Sequence, residues 1–295
     1  MNPENDTLTV GQCVQLACIF EATARKAGNV HRYRDFDDLT YADFLLSAAA
    51  VGPVLESSRA IGVGKTVLSA IRRTQSLVPT NCNLGIVLLL APLASASADP
   101  DLRAGVKSVL QGLTIDDSAA AFEAIRLAKP GGLGEAPSQD VHSEPTMPLR
   151  DIMALAQDRD LVARQYATDF HDVFELGVPA LLEEFDETGE LETAIIAAHL
   201  RLIAKLGDTH VQRRAGMGEA KSVQQRAAVI VDADWPRNQI AREEFVAFDR
   251  WLREPGTKRN PGATADLIAA CLFVALCERR ISLPVRFNSS AEPLP

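Results

Sequence analysis

LGIVLLLAPLASA, residues Leu84–Ala96, is the longest apolar run in the chain. A bilayer asks for about 20 apolar residues in a helix; this run is shorter and carries Pro92. It therefore reads as a helix buried in a protein core. Outward toward the N-terminus, Val63, Val67, Ala70, Ile71 and Thr74 keep helical spacing, as do Val10, Val14 and Ala17 with Cys13, Leu16 and Phe20. The first of these helices spans residues 8–27 and stops at Gly28. A polar loop follows over 28–39, and Thr40 with Asp43 predicts a capping box for a helix from Tyr41 to about residue 50. Outward toward the C-terminus, helical patterns occupy 116–128, 149–157, 159–176, 179–186, 190–206, 219–231, 237–253 and 262–278. No internal repeat and no alternating strand pattern competes with them. The expected fold is all-α, with about ten or more helices around one core. It forms a single domain over residues 1–282, with a loose tail at 283–295. Residues 129–148 are rich in Gly and Pro and lack periodicity; a loop of about that length is usually functional or mobile.

Composition narrows the function. The chain has 295 residues, 47% of them hydrophobic and 23% charged, so it can bury a full core and is not disordered. Aromatic residues make up only 5%, which favours helices over strands. There are 30 Lys and Arg residues against 39 Asp and Glu, a net charge of −9. Such a chain would repel nucleic-acid phosphates and anionic membrane surfaces, so neither is an expected partner. Cys13, Cys18, Cys82, Cys271 and Cys277 form no CxxC pair. They read as reduced core residues of a cytoplasmic protein. Met1 to Thr7 is polar and acidic, unlike a secretory signal.

Two tempting motifs fail. Gly62-Val63-Gly64-Lys65-Thr66 resembles a phosphate loop, but the glycine required five residues earlier is Arg59, and no strand precedes it. The alternative is a helix start with close packing at Gly62 and Gly64. The five histidines, at 31, 142, 171, 199 and 210, show no metal-ligand spacing. The paired carboxylates Asp169/Asp172 and Glu183/Glu184 read as solvated helix faces.

Positive charge instead gathers in three islands. Arg25, Lys26, His31, Arg32 and Arg34 surround Gly28-Asn29; Arg213 and Arg214 precede Gly216; Lys258 and Arg259 precede Asn260-Pro261-Gly262. Each lies beside a glycine with an acid nearby, namely Asp38, Asp208 and Asp266. Helix starts and glycine loops let backbone amides approach anions, and Arg grips phosphate oxygens. Asn260 as N-cap and Pro261 at the first helical position make the third island the sharpest. A polyphosphate site and a set of solvated loops both remain open at this point.

Four separated segments resemble the triphosphoribosyl-dephospho-CoA synthase family, in what looks like its shorter, divergent branch. Lys26-Ala27-Gly28-Asn29-Val30, followed by Asp38, Phe44 and Ser47, resembles its KPGxV motif, and Asn81-Cys82-Asn83-Leu84-Gly85 its NTHKG motif. Asp208-Thr209-His210-Val211 with Arg214-Ala215-Gly216 resembles DTNLxxRGG, and Asn260-Pro261-Gly262-Ala263-Thr264-Ala265-Asp266-Leu267 resembles SPGGSADL. The resemblance implies an all-helical enzyme that joins ATP to 3′-dephospho-CoA. A ribose 2′-hydroxyl attacks C1′ of the ATP ribose and expels adenine.

On that resemblance Asp38, Asp208 and Asp266 are expected as base, electrostatic stabiliser or Mg²⁺ ligands, with Asp38 and Asp208 as the metal pair. Lys26, Arg32, Arg214 and Arg259 would clamp phosphate. Asn81 and Asn83 would orient a ribose or base, and Asn29, Asn260 and Gly262 would complete the substrate contacts. The implied partners are small nucleotides, with ATP as substrate; an oligomer stays open. Three departures stand out. Asn83-Leu84 replaces the family's His-Lys pair, Ala215-Gly216 replaces Gly-Gly, and the loop before Asp38 lacks the usual His. They leave room for a relative that builds a one-carbon carrier cofactor from another phosphorylated substrate, or for a nucleotide-binding helical protein without turnover.

Overall fold

A computed structural model describes residues 8–132, 134 and 138–287. Among them are fifteen α-helices, and the only β features are two isolated bridges, His31 with Arg34 and Phe36 with Leu39. The opening apolar run is α5 (Leu84–Ala96), buried along nearly its whole length. It packs against α15 (Gly262–Cys277), which is equally apolar. Around this pair lie α1 (Val10–Thr23), α2 (Tyr41–Leu55), α3 (Ser58–Ile61) and α4 (Val63–Gln75), with α7 (Ile115–Ala128) against α4. The centre is two all-round hydrophobic helices, and amphipathic ones cover them.

Seven of the fifteen helices start under a side-chain cap. Thr9 and Gln12 form a capping box on α1, Thr40 and Asp43 on α2, and Thr114 and Asp117 on α7. α1 ends at Thr23, short of Gly28. The chain turns inward there: Arg25 pairs with Glu192 at 3.0 Å, and Lys26 pairs with Glu21 at 2.9 Å. α2 runs on through Pro53 to Leu55, beyond the expected end. α6 (Leu102–Gln111) and α12 (Thr209–Ala215) were not expected. α8 (Leu149–Ala154) matches its expected start. The helix expected over 159–176 is instead α9 (Leu161–Ala167), a break at Asp169 and Phe170 with φ of 53° and 59°, and one π-helical turn at Val173–Gly177. The break buries the Phe170 ring and places Asp172 to accept from Gln165 at 2.8 Å.

α10 (Val178–Thr188) leads into α11 (Leu191–Leu206), which joins two apolar clusters. Ala194 and Ile195 face the main core, whereas Ile196, Leu200 and Ile203 face α13 (Met217–Asp232) and α14 (Gln239–Arg253). The described part of the tail is not loose: the Phe287 ring lies 5.5 Å from that of Phe20, and Val285 also packs on the core. Residues 288–295 lie outside the described residues. In the 129–148 loop, Ser118 Oγ donates to Met147 O at 2.7 Å and Arg126 donates to Val141 O. Residues 133 and 135–137 of that loop lie outside the description.

Candidate functional site

Residues from α1, the 28–39 loop, α4, α5, α7, α8, α9, α12 and the start of α15 surround one cavity of about 860 Å³. One wall is apolar, with Ile71 of α4, Phe122 and Ile125 of α7, Ile152 and Met153 of α8, and Val162 of α9. Polar residues on the same lining include Glu21, Asn29, Asp38, His210, Arg213, Asn260 and Asp266. The turn Asn81–Gly85 leading into α5 lies on the lining as well. Lys129, Arg159 and Arg214 are exposed lining residues, beside the Pro130-Gly131-Gly132 turn.

Of the expected site residues, Asn29, Asp38, Asn81, Asn83, Arg214, Asn260, Gly262 and Asp266 line this cavity. Segments more than 200 residues apart in sequence thus meet: Asn29 Nδ2 donates to Asn260 Oδ1 at 2.6 Å. Asn260 does not cap α15, whose N-cap is Pro261; its side chain serves this contact. Asn81 Oδ1 accepts from Leu84 N at 3.2 Å, and Asn83 Nδ2 donates to Thr74 Oγ1 at 3.0 Å. Asn83 Oδ1 is left buried without a partner.

Four expected residues lie elsewhere. Lys26 is fully buried, its Nζ donating to Glu21 O and paired with the Glu21 carboxylate. A buried ammonium requires such a partner. Arg32 grips Glu192 with two bonds of 3.0 Å and lies 4.7 Å from the Tyr33 ring. Arg259 pairs with Glu219 and stacks 4.0 Å from the Trp251 ring. These three cations hold the fold together and do not reach the lining.

Asp208 is the fourth. It is the N-cap of α12, with Oδ1 accepting from Val211 N at 3.0 Å. Its Oδ2 accepts from Thr264 N at 2.8 Å and Thr264 Oγ1 at 2.9 Å. His199 Nε2 lies 3.2 Å from the same hydroxyl. This network fastens the start of α12 to the start of α15, behind the cavity. Burial pushes the Asp208 carboxyl up to about 6, while the donors from Thr264 and Val211 oppose the shift. Asp38, by contrast, is exposed on its loop. Asp208 has both oxygens engaged and Asp38 stands apart, so the pair does not fit a Mg²⁺ site. Among the described residues no group of three His, Cys, Asp or Glu side chains is arranged to hold a metal.

Asp266 differs. It projects from the first turns of α15 into the lining, close against Gly85 at the start of α5. A methyl group on Gly85 would overlap its carboxylate. Burial raises its pKa well above the ordinary carboxylate range, reinforced by Glu21, Asp208 and Asp160 and opposed by Arg213. His210 is pushed down to about 4 by burial, with Arg213 and Arg214 adding to it. The cavity thus offers cations, a carboxyl that favours its proton, the Glu21 carboxyl beside Lys26, and apolar side chains.

A profile of the family described as ATP:dephospho-CoA triphosphoribosyl transferase matches residues 7–284. The chain belongs to that family. A protein of Pseudomonas syringae pv. tomato, named probable 2-(5''-triphosphoribosyl)-3'-dephosphocoenzyme-A synthase, is 28% identical over 43% of this chain and 46% of its own length. One of the same name from Albidiferax ferrireducens is 34% identical over 33% of this chain and 32% of its own. The chain therefore spans less than half the length of these curated relatives. A crystal structure from Archaeoglobus fulgidus, provisionally named triphosphoribosyl-dephospho-CoA synthase, has 27% identity and a TM-score of 0.63, covering 79% of this chain and 98% of that one.

In this member of the transferase family the sequence reading missed Glu21, Lys129, Arg159, Asp160 and Arg213, all on the lining. Glu21 had a legible signal: it is the one charged residue within α1. Arg213 stood in a noted island. Arg159 and Asp160 belong to the charged run Asp158-Arg159-Asp160, which reads as a helix-start cluster that could also face a cleft; Lys129 carried no local signal, because only the packing of α7 brings it to the cavity.

Proposed function

We propose that the protein transfers the triphosphoribosyl group of ATP to a hydroxyl of dephospho-CoA and releases adenine. The observation that carries this reading is the convergence of four motif segments, from Asn29 to Asp266, on one cavity with a cationic edge and an apolar wall. Lys129, Arg159 and Arg214 would hold the triphosphate, which the reaction leaves intact. Magnesium would enter as the counter-ion of ATP, bound to substrate phosphates rather than to Asp38 and Asp208. Asn29, Asn83 and Asn260 would contact the sugar, and the apolar wall would take a base. Breaking the C1′–N bond builds positive charge on the ribose. Carboxylates facing C1′ would stabilise that charge.

Incubation with ATP, Mg²⁺ and dephospho-CoA, followed by chromatography, tests the reading. Adenine released only when dephospho-CoA is present supports it. ATP bound without adenine release would make the protein a nucleotide binder. Leu84, where the family has Lys, is the observation that favours a different phosphorylated acceptor, and no response to dephospho-CoA would point there. We place the protein in the cytoplasm on its free cysteines, and no helix among the described residues is long and apolar enough to cross a membrane.

A further inference from the structure

We infer that His210 is the catalytic base of this cavity, its Nε2 accepting the hydroxyl proton of the acceptor nucleotide during the transfer. The inference rests on the transferase reading for its chemistry; the hydrogen bond from a hydroxyl group to Nε2 does not depend on turnover.

Among the described residues His210 is the one histidine on the cavity lining. Its Nδ1 lies 3.1 Å from Asn260 O, which also accepts from Gly262 N at 2.8 Å. A carbonyl oxygen only accepts, so Nδ1 carries the hydrogen. A neutral imidazole has one N–H, which leaves Nε2 with a free lone pair. Burial, with Arg213 and Arg214 adding to it, keeps the ring neutral at pH 7. Among the described residues nothing hydrogen-bonds Nε2, and it is not one of the buried atoms left without a partner, so it is open to the cavity that the ring lines. Gly262 makes room for the ring: a Cβ there would come 2.5 Å from Nδ1 and 3.2 Å from Cε1. Carboxylates on the same lining are already engaged. Glu21 Oε1 is 2.9 Å from Lys26 Nζ, and Asp160 accepts from Val162 N, Ala163 N and Arg213 Nη1. The sequence points the same way. His210 stands where the DTNLxxRGG motif has Asn, and Asn83 where the NTHKG motif has His, so the two residue types have changed places between two segments of one lining.

The step balances. The acceptor oxygen forms its bond to C1′ as its proton passes to Nε2. The C1′–N bond breaks, and its electron pair leaves with adenine. The proton then departs from Nε2 and ends on adenine, so His210 returns to its starting form and no outside acid is consumed. While the ring is charged, Nδ1 keeps donating to Asn260 O, which holds its orientation. Gly262 acts here through the ring it makes room for; it is a positioning residue.

The test joins nitrogen NMR of the histidine rings with kinetics on the full chain. At neutral pH the wild type should show a neutral Nδ1–H ring that vanishes in His210→Asn and stays in His171→Asn, a change at an exposed histidine. Its Nε2 resonance should move when dephospho-CoA is added. Asn keeps an amide donor for Asn260 O but carries no base. His210→Asn should therefore melt like the wild type and lose about 100-fold or more in kcat, with KM for ATP little changed. His210→Ala should lose as much and regain part of it with added imidazole, which a merely structural loss would not. Gly262→Ala should shift the same ring resonances and lower kcat, again with KM for ATP little changed. A charged or Nε2–H ring in the wild type, or His210→Asn with unchanged kcat, overturns the assignment. If the wild type releases no adenine but Nε2 still responds to dephospho-CoA, the hydroxyl contact stands and the transferase reading falls. An Nε2 that does not respond overturns the contact itself.

Discussion

Asp208 and Asp266 were equivalent candidates in the sequence, each an acid beside a basic island. Their surroundings separate them. Asp208 accepts three hydrogen bonds and caps α12, so its work is structural. Asp208→Asn should lower stability by about 1 kcal/mol in urea melts, the usual scale for a weakened cap, and should keep most turnover. Asp266→Asn should lose at least about 100-fold in kcat, as for a missing acid, while melting like the wild type. Histidines give a second prediction at this scale. His31 and His199 are pushed down to about 3 and His210 to about 4, mainly by burial. Their folded values lie below the unfolded value of 6.5, so their stability contribution is full above pH 6.5 and is lost as pH falls toward 4 and 3. Asp208 works the opposite way: its folded value is raised, so its contribution is present at low pH and fades as pH rises through about 6. Asp266, Glu184 and Glu278 are raised as well, so the histidine share is read by difference: between pH 6.5 and 4, His199→Gln should lose less of its urea midpoint than the wild type. Nothing in the sequence could order these groups, because the partners of Asp208 and His199 lie at Thr264 and Pro261 in another helix.

Helix starts were the most legible elements, because a cap is a local event. Thr40 with Asp43 made the capping box its spacing announced, with a 2.8 Å bond from Thr40 N to Asp43 Oδ2. The Gly62–Thr66 stretch also resolved as the close-packed helix start. Gly64 N donates to Asp117 Oδ1 at 2.8 Å, and a methyl group at Gly64 would overlap the Asp117 backbone. Gly64→Ala should therefore separate α4 from α7, at the cost of about 1–3 kcal/mol expected for overpacking. A urea melt compared with Gly218→Ala, a position with open space, would measure it. Helix ends and breaks were less legible. α1 stops early because Glu21 and Glu192 draw Lys26 and Arg25 inward. α9 breaks because burying Phe170 and Asp172 outweighs continuing the helix. The first outcome depends on Glu192, far along the chain from Arg25. α6 carried its own pattern, with Leu102, Val106 and Leu110 at intervals of four, so local reading could have found it.

Across the whole molecule the basic islands divide by destination. The cations that sequence clustering made most prominent, Lys26, Arg32 and Arg259, tie helices together through Glu21, Glu192 and Glu219. Lys129, Arg159 and Arg214 reach the cavity from three separate elements and stay exposed. A clustering argument selects residues that are neighbours in sequence, whereas a binding site selects neighbours in space. The two agreed for the glycine and asparagine motifs because backbone turns place those residues directly. They disagreed for long side chains, whose heads travel to whichever acid is near. Binding should follow the second set. If ATP binds only the folded chain, a concentration 100 times its Kd adds about 2.7 kcal/mol, a rise of several degrees in Tm for a domain of this size. Changing Lys129, Arg159 and Arg214 together to Ala should remove most of that rise and raise KM for ATP, with kcat much less affected. Arg259→Ala should lower Tm without ligand, through lost packing on Trp251 and the lost Glu219 pair, and should leave the ATP-induced increment intact. If the increment follows Arg259 instead, the phosphate tail does not lie where the exposed cations place it.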